Sequence, residues 1–159
     1  YVPDKKEMFL NLTGNEYLKC IIQLYHQNAV KAKETLERLS TAFKLERSLN
    51  EYIANYSLGM KQRLGIAAAI LTDAPYLILD ESLNGLDPEG IQWVRDFIKD
   101  YVSDHRTVIV SSYYMAELEL VTDHVVGLPN GRKVLDGDIA ALLDQYGSLE
   151  QAYFNVVKK

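Results

Sequence analysis

The run "YLILDE", residues 76–81, constrains the fold more than any other part of the sequence. Its largely apolar first four residues are typical of a strand in a parallel sheet, and Asp80 and Glu81 follow where such a strand ends. Ligands of parallel sheets bind beyond the carboxyl ends of the strands, so both carboxylates are expected to face a ligand. Carboxylates in this position commonly hold Mg²⁺ beside a phosphate. The phosphate-binding motif G-x-x-x-x-G-K-[ST] does not occur in the 159 residues.

The first third of the chain has the periodicity of helices. Thr13 and Glu16 form a capping-box pattern that predicts a helix over about residues 14–27. Apolar residues at helical spacing mark a second helix: Val30, Leu36, Leu39 and Phe43. A third, shorter amphipathic helix is marked by Leu45, Leu49, Tyr52 and Ile53. Residues 14–55 are therefore predicted to be helical throughout.

Strands alternate with helices in the part of the chain that follows. Ser57 is the predicted N-cap of a helix that Pro75 ends, just before the strand "YLILD". Asp87 and Pro88 are the predicted N-cap and first residue of the next helix. "TVIVSS", residues 107–112, is rich in β-branched residues and predicts a second buried strand.

The C-terminal part is predicted to form a hairpin between helices. A short helix over "MAELELV", residues 115–121, precedes two strands, "HVVGL" and "RKVLD", with the Asn-Gly turn 129–131 between them. Two closing helices follow, capped by Asp138 and Ser148 and separated by Gly147. An α/β protein with a helical subdomain is therefore expected.

The chain is expected to divide into a helical region, residues 1–56, and an α/β region, residues 57–159. Its net charge of −5 and pI near 5.2 give no broad positive field, so no nucleic-acid partner is expected. No apolar run approaches the length of a transmembrane helix, and no leader opens the chain, so no direct insertion into a membrane is expected. The single Cys20 is interpreted as a small core residue in a reducing compartment, which favours the cytoplasm.

Two groups of residues can carry chemistry. Ser57, Leu58 and Gly59 lie at a predicted helix N-terminus, where free N–H groups and the helix dipole favour an anion; the alternative is a plain serine cap. Asp80 can hold Mg²⁺ and Glu81 can polarise an attacking water as a general base; the alternative is that both carboxylates merely face solvent.

The order of these motifs resembles the nucleotide-binding subunits of ATP-binding cassette (ABC) transporters. "YSLGM", residues 56–60, is similar to the family's signature motif, and "KQRLGIA" continues it. "YLILDE" resembles the Walker B strand with its catalytic glutamate, "SLNGLD" the D-loop, and "VSSYYMAELE" the switch-loop region. The resemblance extends over nearly the whole chain. It implies a partial P-loop NTPase fold, with a helical subdomain, the Walker B half of a mainly parallel sheet, and a C-terminal hairpin plus helices.

The resemblance also implies a divided ATP site in a head-to-tail dimer of two nucleotide-binding subunits. The signature residues Ser57, Leu58, Gly59 and Met60 would contact the ATP of the opposite subunit. A transmembrane permease would be the other partner, which would place the subunit in the cytoplasm, peripheral to the inner face of the membrane. The implied activity is an ATPase that drives a transporter, with an exporter favoured.

Within the chain's own site the resemblance assigns roles to single residues. Asp80 would organise Mg²⁺, Glu81 would be the general base, and Asp87 in the D-loop would couple the two sites. Asp4 stands at the position of the family's Q-loop glutamine or glutamate, with a loop acid of no special role as the alternative. Tyr113 stands at the catalytic position of the family's switch histidine.

Two departures from the family pattern bear on activity. The glycine-rich Walker A loop and its lysine are not in the sequence, so a fragment that begins at the Q-loop and binds ATP poorly by itself is expected. At Tyr113 a phenol with a pKa of about 10 offers only a neutral hydroxyl where an imidazole can donate or accept. Impaired hydrolysis is therefore expected, unless Tyr113 packs in the core and another group compensates.

Two other functions are consistent with the same motifs. One is a non-hydrolytic or regulatory ABC subunit that supplies its signature motif to a partner's ATP. The other is an ATPase of DNA repair, which pairs a similar signature with Asp-Glu but inserts a long coiled coil before it. Only about forty residues without sustained heptads precede the signature here, so this function is the least favoured.

Overall fold

The computed structural model describes residues 1–2, 9–25, 29–102 and 105–157. Its backbone contacts divide the chain into two compact units, residues 1–111 and 112–159. The first unit contains the helices α1 (Gly14–Tyr25), α2 (Ala29–Ala42), α3 (Leu58–Leu71) and α4 (Pro88–Tyr101), and the strands β1 (Tyr76–Asp80) and β2 (Thr107–Ser111). The second contains α5 (Met115–Val121), β3 (His124–Gly127), β4 (Leu135–Asp138), α6 (Ile139–Tyr146) and α7 (Leu149–Val157).

A buried helix, α3, is the centre of the first unit. Eight of its residues are buried, including Leu64 and the run from Ile66 to Leu71, so the helix is apolar around much of its circumference. Helices α1 and α2 pack against it, and it also contacts β1. Such a helix is stable only when other elements cover it, because most of its side chains are apolar and would otherwise be exposed to water. It therefore fixes the positions of its neighbours.

The two strands of the first unit are parallel. Their register pairs Tyr76 with Thr107 at one end and Asp80 with Ser111 at the other, and Val2 forms a parallel bridge to Leu79. Leu77 and Leu79 are buried, whereas Tyr76 and Ile78, which alternate with them on β1, are exposed and Asp80 is half-buried.

The prediction that β2 is a buried strand is wrong. No residue of β2 is classed as buried, and Ile109 is 54% exposed. Helix α4 contacts β2, and α3 contacts β1, but the exposed side chains on both strands have no such cover from the described residues. One apolar face of the sheet is consequently open in this part of the chain.

Three of the predicted helix starts are confirmed. Thr13 and Glu16 form the reciprocal capping box, with Glu16 Oε2 2.8 Å from Thr13 N and Thr13 Oγ1 3.2 Å from Glu16 N. The backbone hydrogen bond from Thr13, aided by its hydroxyl, lowers the pKa of Glu16. Ser57 caps α3 by accepting from Met60 N at 3.3 Å, and Asp87 caps α4 by accepting from Gly90 N at 3.0 Å.

The prediction that residues 14–55 are helical throughout is wrong, because turns replace the third of the three predicted helices. Just after helix α2, Lys44 adopts a left-handed conformation (φ 54°). Leu45 N donates to Ser40 O, and Lys44 N donates to Thr41 O. These are the two hydrogen bonds of a Schellman motif, which reverses the chain direction. Turns and a bridge between Thr13 and Tyr52 follow, and only the 3₁₀ turn Ile53–Asn55 is helical. The apolar spacing that predicted a helix instead reflects burial of Leu45, Leu49 and Ile53 beneath turns.

The second unit contains the predicted antiparallel hairpin with a shifted second strand. The pairs run from His124 with Asp138 to Gly127 with Leu135, so β4 begins three residues later than "RKVLD" indicated. A 3₁₀ turn, Pro129–Gly131, with two left-handed residues lengthens the loop. Gly147 (φ 81°) ends α6, and Ser148 caps the following turn by accepting from Gln151 N at 3.1 Å.

Two further predictions about single side chains need correction. Asp138 precedes α6 as its N-cap residue but makes no side-chain cap; its carboxylate lies 3.0 Å from His124 Nδ1 instead. Cys20, expected in the core, is exposed on α1. In the described ranges, every helix is too short or too polar to cross a bilayer.

Candidate functional site

A hydroxyl connects the two acids at the end of β1. Ser111, opposite Asp80 in the register, donates its hydroxyl to Asp80 Oδ1 at 2.6 Å and accepts from Glu81 N at 3.0 Å. The Tyr1 hydroxyl donates to the other carboxylate oxygen, Asp80 Oδ2, at 3.1 Å. Two hydroxyl donors therefore help to orient the Asp80 carboxylate.

Glu81 begins a sharp turn, residues 81–87, that we call the acidic turn. Its φ of 47° is a left-handed conformation that is costly for a residue with a side chain, and the surrounding structure must hold it. The Glu81 carboxylate is half-buried, and its Oε2 accepts from Asn84 Nδ2 at 2.9 Å. Asn84 therefore fixes the direction in which the carboxylate points.

Ser82 anchors the start of the acidic turn. Its side chain is fully buried, and its hydroxyl lies 3.2 Å from both Val2 O and Asp80 O. The next residue, Leu83, is buried as well. The sequence did not indicate this anchoring role, because a serine after two acids does not reveal which carbonyls it will contact.

The other predicted group lies at the N-terminus of α3. Ser57 and Leu58 are exposed, and Gly59 and Met60 are half-buried. A side chain at Gly59 would place its Cβ 2.8 Å from Gly85 O, closer than such atoms approach, so this glycine is needed where α3 meets the acidic turn. The first N–H groups of a helix have no partner within the helix, and here they begin at an exposed serine. This end of α3 can accept an anion.

Asp87 ends the acidic turn and makes two contacts. Besides capping α4, its Oδ1 lies 3.4 Å from Nη2 of Arg63 on α3. Asp87 was predicted from the sequence, whereas Arg63 was assigned no role there; the Arg63 side chain is only 18% exposed. Gln62, which the sequence did not single out, is buried and donates to Ser82 O.

Tyr113 belongs to the second unit, two residues beyond Ser111. It is 85% exposed, so the alternative that it packs in the core is wrong. Tyr114 N donates to Ser112 Oγ at 3.0 Å, and this bond shapes the backbone around Tyr113. Asp4, the predicted Q-loop residue, lies outside the described residues.

The acidic end of β1 suits one kind of metal. Within the described ranges no three His, Cys, Asp or Glu side chains converge, so a cage made only of protein ligands is not found there. Mg²⁺ does not require one, because it is commonly bound through one or two carboxylates together with phosphate oxygens and waters. Asp80, whose carboxylate oxygens are oriented by Tyr1 and Ser111, fits that role.

Comparison with known proteins places these motifs in a family context. A family model described as "ABC transporter" matches residues 1–84. The bacitracin transport ATP-binding protein of Enterococcus faecalis is 37% identical over 135 residues, which are 84% of this chain and 43% of that protein. The lantibiotic transport ATP-binding protein of Streptococcus pyogenes is 37% identical over 105 residues, 66% of this chain and 44% of that protein. The chain thus spans less than half the length of either relative.

A solved structure described as the ATP-binding subunit of an ABC transporter has the same fold. It superposes with a TM-score of 0.90 at 29% sequence identity, over 99% of this chain and 67% of that one. The predicted fold class, α/β of the P-loop NTPase type found in ABC ATPases, is thereby confirmed.

Proposed function

The chain belongs to the ABC transporter family, and on this premise we propose that it acts in an ATP-binding subunit that couples ATP binding and hydrolysis to transport through a membrane permease. The observation that carries the proposal is the Ser111 hydroxyl, which holds Asp80 and the backbone of Glu81 together at the end of β1. A site that only presented acids to solvent would not need this shared positioning.

The proposed roles follow from the positions of the two acids. Mg²⁺, when bound with ATP, supplies charge neutralisation at the phosphates. Asp80 would hold the ion, or waters bound to it, through carboxylate oxygens that Tyr1 and Ser111 orient. Glu81 accepts the proton of the attacking water, and the Asn84 amide keeps its carboxylate directed towards that task.

The signature residues are proposed to serve a second subunit. Ser57, Leu58, Gly59 and Met60 begin α3, where N–H groups and the helix dipole favour phosphate. Leu58 is 70% exposed, which suits a surface that another subunit covers. The proposed assembly is a head-to-tail dimer of nucleotide-binding subunits, in which Asp87 lies between the two sites. No nucleic acid takes part.

The permease and the direction of transport are proposed from the relatives. Two of them are named for bacitracin transport and lantibiotic transport, which supports a transporter that moves such compounds across a membrane. Export is the proposed direction, with the subunit in the cytoplasm at the inner face of the membrane. The permease selects the compound that is transported.

The substitution Glu81→Gln in the native protein tests the hydrolytic role. It removes the base but keeps the hydrogen bond that Asn84 donates, so ATP should still bind while kcat falls by about a hundredfold or more. Glu37→Gln on α2 is the control, since it makes the same chemical change at an exposed carboxylate outside the acidic turn and the switch-loop region. Equal kcat values for Glu81→Gln and the unsubstituted protein would contradict the proposal.

Tyr113 favours a second candidate function, a subunit that binds ATP with its partner but does not hydrolyse it. The Tyr113 side chain is exposed and offers a hydroxyl where the family's motif has an imidazole, the usual group for proton transfer. Under this alternative, Tyr113→His restores hydrolysis to a protein that binds ATP without turning it over. A protein that hydrolyses ATP well and gains nothing from Tyr113→His would exclude it.

A further inference from the structure

One face of α3 is occupied by the acidic turn of the same chain. Gly59, Gln62 and Arg63 are three and four residues apart, so they share a face of the helix. Each meets a different point of the turn. Gly59 lies against Gly85 O, Gln62 Nε2 donates to Ser82 O, and Arg63 Nη2 lies 3.4 Å from Asp87 Oδ1.

The acidic turn is weakly held by its own backbone. Its internal hydrogen bonds, from Asn84 N to Glu81 O and from Leu86 N to Leu83 O, are 3.2 and 3.3 Å long. Glu81 and Gly85 both have positive φ, at 47° and 81°. A turn with long hydrogen bonds and a strained first residue depends on outside contacts for its shape.

Gln62 and Arg63 are suited to supply those contacts. The Gln62 side chain is buried, so its amide donates to Ser82 O without competition from water. Arg63 is mostly buried, and besides Asp87 it reaches Phe43 O at the end of α2, 3.3 Å from Nη1. Its Nε has no partner among the described residues, so Asp87 and Phe43 O are the contacts that fix its position.

We propose that Gln62 and Arg63 are positioning residues that hold the acidic turn, and through it Glu81, at the geometry that hydrolysis requires. The proposal rests on the function proposed above and deepens it. Ser57 lies at the N-terminus of the same helix. A phosphate bound at that end of α3 is therefore linked, through the helix and the acidic turn, to the chain's own general base, Glu81. A displacement of α3 would therefore change the position of Glu81.

Two substitutions in the native protein test this role. Gln62→Met keeps the length of the side chain and removes the donor, and Arg63→Lys keeps the charge and removes the fork of the guanidinium. The matched control is Arg95→Lys on α4, a half-buried arginine whose Nε also lacks a partner among the described residues. Arg95 Nη2 donates to Gln92 Oε1, and no hydrogen bond or ion pair joins Arg95 to the acidic turn among the described residues.

Amide hydrogen exchange without nucleotide gives the first readout. Both substitutions should speed exchange at Asn84 and Leu86 by about tenfold, the factor for losing roughly one hydrogen bond, while Arg95→Lys should not. Exchange as slow as in the unsubstituted protein for both variants would overturn the proposal. If the Gln62→Met protein shows no cooperative thermal transition, it is not properly folded, and the exchange rates of the Arg63→Lys protein alone test the proposal.

Steady-state kinetics give the second readout, which separates positioning from general stability. A turn that positions the base should lower kcat by about tenfold and leave KM for ATP unchanged. Faster exchange with unchanged kcat would overturn the positioning role. An unsubstituted protein that neither binds nor hydrolyses ATP would refute the proposed function instead, and the exchange rates would still show whether α3 holds the turn.

The pairing of Arg63 with Asp87 is tested by a double substitution. Asp87→Asn keeps a side chain able to cap α4 and removes the negative charge. If the two residues act together, Arg63→Lys with Asp87→Asn should speed exchange no more than the larger of the two single changes. Full additivity would show that Arg63 does not act through Asp87.

Discussion

Asp80 and Ser111 are opposite each other at the ends of two parallel strands, and their oxygens are 2.6 Å apart. The same Ser111 hydroxyl accepts the N–H of Glu81 at 3.0 Å. One side chain on β2 thus orients a carboxylate and holds the strained residue next to it. The parallel register makes this possible, because it brings the carboxyl ends of both strands to one edge.

Ser111→Ala should lower ATP hydrolysis by about tenfold to a hundredfold. The change removes a hydrogen bond to a charged oxygen, worth about 1.5–3 kcal/mol, and leaves Glu81 N without its acceptor. We expect a higher Mg²⁺ requirement as well, since the Asp80 carboxylate can then rotate. Hydrolysis rates measured across a Mg²⁺ titration would show both effects. Ser111→Thr keeps the hydroxyl and should remain active; equal losses for Ala and Thr would contradict the prediction.

Gly59→Ala should destabilise the first unit and displace the acidic turn. The new Cβ would lie 2.8 Å from Gly85 O, and backbone on both sides must move, at a cost of about 1–3 kcal/mol. Thermal melting would give the loss of stability. Gly137→Ala on β4 is the control, because the nearest atoms to its Cβ would be those of the Leu142 side chain, at an ordinary contact distance of 3.7 Å. A Gly59→Ala protein as stable as the Gly137→Ala protein would show that the contact relaxes without cost.

Phe43→Ala should reduce the free energy of unfolding of the first unit by about 3–5 kcal/mol. Phe43 is 1% exposed, and its ring centroid lies 4.1 Å from that of Trp93, so the substitution leaves a cavity beside the single tryptophan. Urea unfolding followed by Trp93 fluorescence would measure the loss. Phe9→Ala, at a residue 67% exposed, should change stability by no more than about 0.5 kcal/mol. Comparable losses at the two positions would contradict the assignment of Phe43 to the core.

The hairpin of the second unit should lose stability as the pH rises through the pKa of His124. Hydrogen bonds to Asp138 and Asp136 raise that pKa above the ordinary value of 6.5. Stabilisation by the charged imidazole is therefore complete below the unfolded pKa and disappears above the raised folded pKa. The urea concentration at the midpoint of unfolding, measured from the NMR amide signals of β3 and β4, should be higher at about pH 5.5 than at about pH 8.5.

A substitution at His124 identifies the group responsible for this pH dependence. His124→Gln keeps a hydrogen-bonding side chain that does not titrate, so the difference between the two pH values should disappear. The pKa of Asp136 is lowered, chiefly by the Lys133 hydrogen bond and then by His124, so its own contribution is lost only in acid. A difference that persists in His124→Gln would assign the pH dependence to another group.

Local signals in the sequence were reliable where a few neighbouring residues decide the outcome. The capping box of Thr13 and Glu16, the serine cap of α3 and the Asp-Pro start of α4 each involve atoms within four residues. The strand β1 was also located from its own residues, and it ends at Asp80, just before Glu81. The sequence failed over residues 43–52, where a Schellman motif at Lys44 turned a helical pattern into buried turns.

By itself, the sequence determined that an α/β protein carries a capped helix beginning at Ser57 and two acids at the end of a strand. Those features follow from local hydrogen bonds and from the alternation of apolar and polar residues. Only the tertiary structure decided that Ser111 joins Asp80 to Glu81, and that Gln62 and Arg63 support the turn beyond them. These contacts join residues about 20 to 30 positions apart, and their partners depend on strand register and helix packing, which no short stretch of sequence encodes.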